Sequence, residues 1–265
     1  MRGCGGIPMR PLALMALSLI LLVAPTKGEE SGDDVVTLVA DEWCPYNCAP
    51  DAESQGILVE IARQALRLEG YRVDYQSMPW RRAIRGVRNG NSDGIIGAGP
   101  AETPDFNFPD QPLAIAHHSL FTRPDSNWTY TGLESLGNIR LGVVQEYSYG
   151  GLYDAYIAPN ENDAERLMVL SGNQVLPRLI RLLEMGRIDA LAAEEKVLNH
   201  HYQNEGRINR LRNAGLAYQE ELYIAFTPAR PEGRELAEAL DRGMVKLREH
   251  GMIAEILADY RTLNH

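Results

Sequence analysis

Short β-rich runs alternate with amphipathic helical stretches beyond Glu30, and this rhythm limits the possible folds more than any other feature of the chain. Val35 to Ala40 is a compact apolar run of strand length. Ile57, Leu58, Ile61, Ala62, Ala65 and Leu66 then recur at helical spacing until Gly70. Val73 to Gln76 predicts a second strand, Trp80 to Arg88 a second helix, and Gly94 to Gly97 a third strand after a turn at Asn89-Gly90-Asn91. Strand, helix, strand in succession implies parallel pairing through right-handed crossovers, and so an α/β fold.

The rhythm breaks from Gly99 to about Asp110, where three prolines and no helical period predict an irregular loop. Leu113 to Phe121 reads as extended, and the alternation restarts after Arg123-Pro124-Asp125. Strands are predicted at Arg140–Val144, Arg166–Leu170 and Ile188–Ala193, with helices at Ser148–Ala158, Asn173–Glu184 and Glu195 to about Asn204. Two more extended stretches, Ile208–Leu211 and Glu221–Phe226, precede helices at Glu232–Glu249 and Met252–Tyr260. The closing helices have no strands of their own to cover, so the economical arrangement returns them to the first α/β unit. That gives two lobes, 29–120 with 225–265 and 121–224, joined by two hinge crossings.

Residues 1–28 have the layout of a cleaved secretory signal: Arg2 and Arg10, an apolar run from Leu12 to Ala24, then small residues ahead of Glu29-Glu30. The run is short for a membrane span. An uncleaved anchor is the competing reading. Loss of this leader turns a net charge of −10 into −13, with 23 basic against 36 acidic side chains. The cations are scattered, which argues against a nucleic-acid partner. Of three cysteines, Cys44 and Cys48 remain, an even count that predicts a disulfide closing a tight loop in an oxidising compartment. Such a loop would fix the segment that carries Trp43 and Tyr46. Two cysteines without a nearby histidine make an incomplete zinc set, so no metal is expected.

Several stretches together resemble the bacterial extracellular solute-binding proteins, family 3, the periplasmic polar amino acid binding proteins of ABC transporters. They are Ala40-Asp41-Glu42-Trp43-Cys44-Pro45-Tyr46, Gly56-Ile57-Leu58-Val59-Glu60-Ile61 and Pro79-Trp80-Arg81-Arg82-Ala83-Ile84. Further along they are Asp93-Gly94-Ile95-Ile96-Gly97-Ala98, Leu141-Gly142-Val143-Val144-Gln145 and Gly186-Arg187-Ile188-Asp189-Ala190-Leu191. The resemblance implies a two-lobed periplasmic binding fold of type II that closes on a small molecule, without cofactor or chemistry, as a periplasmic monomer serving an inner-membrane permease.

By the same resemblance, Trp43 and Trp80 match the aromatics that pack on ligand, with Tyr46 beside them, and Gly97 and Ala98 match backbone donors after the third strand. Ser148 matches a hydroxyl at a helix start that helps hold a carboxylate, and Glu194 the acid that receives an ammonium group. Pro100, which has no N–H, stands where a further donor is familiar. The arginine that clamps the ligand carboxylate is missing, with Pro104 or Asp105 in its place. Either the ligand is a cation or zwitterion bound without that clamp, or Arg81 or Arg82 substitutes for it. Two alternatives accompany the transport reading: a dehydratase-like enzyme on the same fold, with Glu194 or Asp41 as acid or base, and a sensor acting through a separate partner. The pairs His117-His118 and His200-His201 do not read as chelating pairs, since adjacent side chains diverge on strand and helix alike.

Overall fold

The computed structural model describes residues 34–145, 147, 149–172 and 174–262, besides the isolated positions 1, 3 and 6. The leader expected over 1–28 and Ser148 lie outside the described residues.

The strands are β1 (Asp34–Ala40), β2 (Tyr71–Ser77), β3 (Gly94–Ala98), β4 (Ala114–Thr122), β5 (Leu141–Val144), β6 (Leu167–Leu170), β7 (Ala190–Glu194) and β8 (Arg212–Phe226). They form one curled sheet in the order β2-β1-β3-β8-β4-β7-β5-β6. At one end β1 pairs in parallel with β2 and β3. At the other, β5 pairs in parallel with β6 and β7. Between these two parallel sets, β8 and β4 run antiparallel to each other and to their neighbours β3 and β7. The result is the two-lobed α/β architecture that the alternation implied.

Each parallel set has its own core. Helix α1 (Ile57–Arg67) buries Ile57, Leu58, Ile61, Ala62, Ala65 and Leu66, the residues at helical spacing. They pack with Val36 and Leu38 of β1 and with Leu236, Leu240 and Leu247 of α6 (Glu232–Glu249). The last helix, α7 (Met252–Thr262), adds Tyr260 to the same core. Contact between α1 and α6 is backbone-close: a Cβ on Gly243 would come within 2.2 Å of the Ala65 carbonyl oxygen. In the other set, Leu179 and Leu183 of α4 (Val175–Glu184) pack with Leu191 and with Leu198 of α5 (Glu195–Asn204). Leu141 and Val143 pack with Tyr156 in a separate cluster.

Two predicted elements differ. The extended stretches Ile208–Leu211 and Glu221–Phe226 are in fact an irregular, partly exposed segment and one long strand, since β8 begins at Arg212. β8 finds partners along its length, with β4 from Arg212 to Leu222 and with β3 from Tyr223 to Phe226. Gly215 and two bulges interrupt the side-chain alternation that would announce it. The helix expected at Ser148–Ala158 is found over 151–160 but is irregular, with a π segment at Tyr153–Ile157 running into the short α3 (Ala158–Asn160). Pro159 there has no N–H to continue an i→i−4 ladder.

Candidate ligand-binding cleft

A cleft open to solvent lies where the C-terminal ends of β1, β2 and β3 meet the crossing strands β4 and β8. Open α/β sheets place ligands at such strand ends. Asp41 and Trp43 follow β1, and Trp80 begins α2 (Trp80–Arg88) just after β2. Ile96 and Gly97 end β3, and Glu102 follows in the turn beyond it. From the crossing strands come His118, Glu220 and Leu222, and Tyr147 enters from the segment after β5.

Local folding fixes Trp43. Cys44 and Cys48 are joined by a disulfide, and Cys44-Pro45 is cis. Within this loop Trp43 N–H donates to the Asn47 carbonyl and Tyr46 N–H to the Trp43 carbonyl, at 2.7 and 3.0 Å. The loop then caps α1: Ile57 and Leu58 N–H donate to the Pro45 and Tyr46 carbonyls at 2.8 and 2.9 Å, using donors a helix start leaves unpaired. Gly56 makes the approach possible. It has φ 117°, and a Cβ there would lie 2.4 Å from the Tyr46 carbonyl oxygen.

The aromatic rings continue as a stack. Trp43 lies 4.8 Å from Tyr46 and 6.0 Å from His118, and His118 lies 4.2 Å from Tyr218 with the rings 8° from parallel. His118 is buried, with Nε2 3.4 Å from Glu220 Oε2. Trp80 Nε1 donates to Glu102 Oε1 at 2.7 Å, fixing both side chains.

Three carboxylates thus face one cleft. Burial pushes the Asp41 carboxyl up to about 6, with the charges of Glu102 and Glu42 adding to the rise against an opposing backbone hydrogen bond. Glu102 is also raised, first by burial and further by Glu220, against the lowering effect of the Trp80 hydrogen bond. Asn47 is 1% exposed; its Nδ2 donates to the Asp41 carbonyl at 2.6 Å, while its Oδ1 has no partner. Among the described residues no lysine or arginine lines the cleft.

Of the residues singled out from sequence, Trp43, Trp80, Gly97 and the candidate acid or base Asp41 line this cleft together. Tyr46 lies behind Trp43, 1% exposed, and its hydroxyl donates to Glu194 Oε1 at 2.9 Å. Glu194 is 3% exposed and is not among the lining residues. Its Oε1 also takes the His117 N–H at 3.3 Å, and its Oε2 caps α5 by accepting from Val197 N–H at 2.8 Å. Ala98 is fully buried in the core with Val39 and Ala83. Arg81 and Arg82 sit on the exposed side of α2, outside the lining. Asp105, one of the two residues that the resemblance sets against the missing arginine, is exposed and holds Arg88 in a two-pronged pair at 2.7 and 3.0 Å. The structure also brings His200 beside the disulfide, its ligand atom and both sulfurs within 4.8 Å of one another; the sulfurs are already bonded to each other.

Sequence reasoning passed over Glu102, Glu220, Asn47 and Tyr147 as site residues. Glu220 belongs to the part of β8 that the sequence did not reveal. Which acid of Glu102-Thr103-Pro104-Asp105 turns inward is set by the turn, where Thr103 is fully buried with Oγ1 on the Gly99 carbonyl.

Two parallel α/β sets joined by an antiparallel pair, with an aromatic and acidic cleft at the strand ends, are a two-lobed solute-binding architecture. The chain belongs to the bacterial extracellular solute-binding proteins, family 3, whose family model matches residues 35–262. Solved structures agree on the fold. A histidine kinase sensor domain with similarity to periplasmic binding proteins superposes with TM-score 0.67 at 21% identity, covering 85% of this chain and 95% of that one. The amino acid ABC transporter substrate-binding protein AbpA from Streptococcus pneumoniae, bound to L-arginine, gives 0.63 at 18%, covering 87% and 95%. An ancestral amino acid-binding protein, a precursor of cyclohexadienyl dehydratase, gives 0.61 at 14%, covering 85% and 94%. No curated protein sequence matches the chain. Among the described residues no helix is long and apolar enough to cross a membrane.

Proposed function

We propose that this is a periplasmic solute-binding protein that captures a small polar solute, amino-acid-like, amine or zwitterionic, and presents it as a monomer to an inner-membrane ABC permease. The lobes are 29–120 with 225–265 and 121–224, and a cleaved leader over 1–28 delivers the chain. One observation carries the reading: the strand-end cleft is lined by Trp43 and Trp80 and bordered by β4 and β8, the two strands that connect the parallel sets. Contacts from both lobes add only when the cleft is closed, so ligand shifts the population toward closure.

A second reading has its own observation. An Asp41 carboxyl held at about 6 is in the range useful to a general acid, so a dehydratase-like activity is the alternative. Thermal unfolding with a panel of amino acids, amines, small carboxylates and prephenate tests both. A true ligand at a hundred times its Kd adds about 2.7 kcal/mol, which raises Tm by roughly 5–10 °C in a protein of this size. Such a shift with an amine or amino acid, and prephenate recovered unchanged, is the expected result. No shift across the panel, or turnover of prephenate, would overturn the binding function.

A further inference from the structure

The cleft is lined by three carboxylates and, among the described residues, by no lysine or arginine. They are Asp41, Glu102 and Glu220, and the Trp80 indole donor, Nε1, is already spent on Glu102. Asn47 adds an independent sign. Its Nδ2 faces a carbonyl, Asp41 O, which only a donor can satisfy, so the amide orientation is fixed and Oδ1 is an acceptor. That Oδ1 is buried without a donor, 3.8 Å from where a Cβ on Gly97 would sit. A buried acceptor is costly until a donor reaches it, and here a ligand N–H would serve. Around these groups the indoles of Trp43 and Trp80 add large apolar area to the lining.

A ligand carboxylate would meet no lysine or arginine among the described lining residues. It would enter as a fourth anion beside three, and the one imidazole in the lining, His118, already lies against Glu220.

We infer that the cleft selects an aliphatic amine with two positive groups and no carboxylate, a diamine or aminoalkylguanidine. Two cationic groups match a site with three carboxylates and one histidine, and an alkyl chain between them fits against the indoles. This rests on the solute-binding reading above and narrows it to one ligand class.

The test uses matched pairs that differ only by the carboxylate: cadaverine against lysine, putrescine against ornithine, and agmatine against arginine, titrated calorimetrically into the wild-type protein. In at least one pair the decarboxylated member is expected to bind tenfold or more tighter, and butylamine more weakly than putrescine. Glu102→Gln and Glu220→Gln should each weaken the best amine by tenfold or more, with the unliganded unfolding transition showing that the variants are folded. Tighter or equal binding of the amino acid in every pair overturns the inference while leaving the solute-binding function intact, as do variants that bind the best amine as the wild type does. Silence from all three pairs also overturns it. In that case a hit elsewhere in the wider panel keeps the binding function, and silence there removes both.

Discussion

Asp41→Asn is expected to weaken amine binding about a hundredfold at pH 8 while making the ligand-free protein more stable. The two effects have one cause. Burial and the charges of Glu102 and Glu42 hold the Asp41 carboxyl at about 6, against 3.8 for the free group. Ionising it in the folded protein is therefore unfavourable by up to about 3 kcal/mol. The folded state binds this proton more tightly than the unfolded chain, so the penalty is absent below the unfolded value and grows as pH rises from about 4 to 6. Asparagine removes it, and the gain in stability should be near its maximum at pH 8 and small at pH 4.

A bound cation reverses the preference, since a positive group about 4 Å from a carboxylate favours the ionised form by several kcal/mol at an effective dielectric near 20. Affinity in the wild type should be level above pH 6 and fall as pH drops through 6, by up to tenfold per unit. Comparing wild type with Asp41→Asn isolates this group from the others near it, Glu42, Glu102, Tyr75 and Tyr147. Calorimetric titrations at pH 5 and 8, with unfolding curves for the unliganded proteins, measure both halves. An asparagine variant that binds normally, or one destabilised at pH 8, would contradict the assignment.

Glu194→Ala should act on stability first. The carboxylate accepts from the Tyr46 hydroxyl, the His117 N–H and the Val197 N–H, and it is almost fully buried. Removing it leaves buried donors unpaired and α5 without its cap. A lost cap costs about 1 kcal/mol and each orphaned buried group about 1–3. The sum is about 4 kcal/mol, or a fall in Tm of roughly 10 °C. Lys196, whose Nζ lies 3.4 Å from the Tyr46 hydroxyl, would lose part of its setting as well. Glu194→Gln keeps one acceptor and should lose about half as much. These numbers distinguish two roles for the residue. A receiver of the ligand's ammonium would show its effect in affinity with Tm unchanged, whereas a junction between the Trp43 loop and β7 shows it in Tm before any ligand is added.

The fold was largely legible because hydrophobic periodicity reports which face of each element is buried, and α1 and β1 are buried where their patterns say. Glu232–Glu249 read clearly for the same reason, with Gly251 at φ 71° ending the run. β8 was less legible: its register is set by β4 and β3, far away in sequence, and its bulges and Gly215 spoil the alternation. The cleft divides in the same way. Trp43, Trp80 and Gly97 follow strand ends, so sequence order alone places them near the cleft. Glu102, Glu220, Asn47 and Tyr147 reach it through a turn, a long strand's register, a disulfide loop and the segment after β5, and none of these has a local sequence signature. Glu194 shows the converse. A buried acid after a strand looks alike in sequence whether it awaits an ammonium group or caps the next helix, and the hydrogen bonds from Tyr46, His117 and Val197 have no local sequence signature.

The central claim is that a ligand is held between Trp43 and Trp80, and tryptophan fluorescence tests it most directly. The chain has three tryptophans, and Trp128 packs with the other half's core, its Nε1 donating to the Ser135 carbonyl. Titration of the best amine into wild type, Trp43→Phe and Trp80→Phe should give a saturable change in the wild type that shrinks in each variant as affinity falls about tenfold. A full wild-type response in both variants would place the ligand elsewhere and contradict the account.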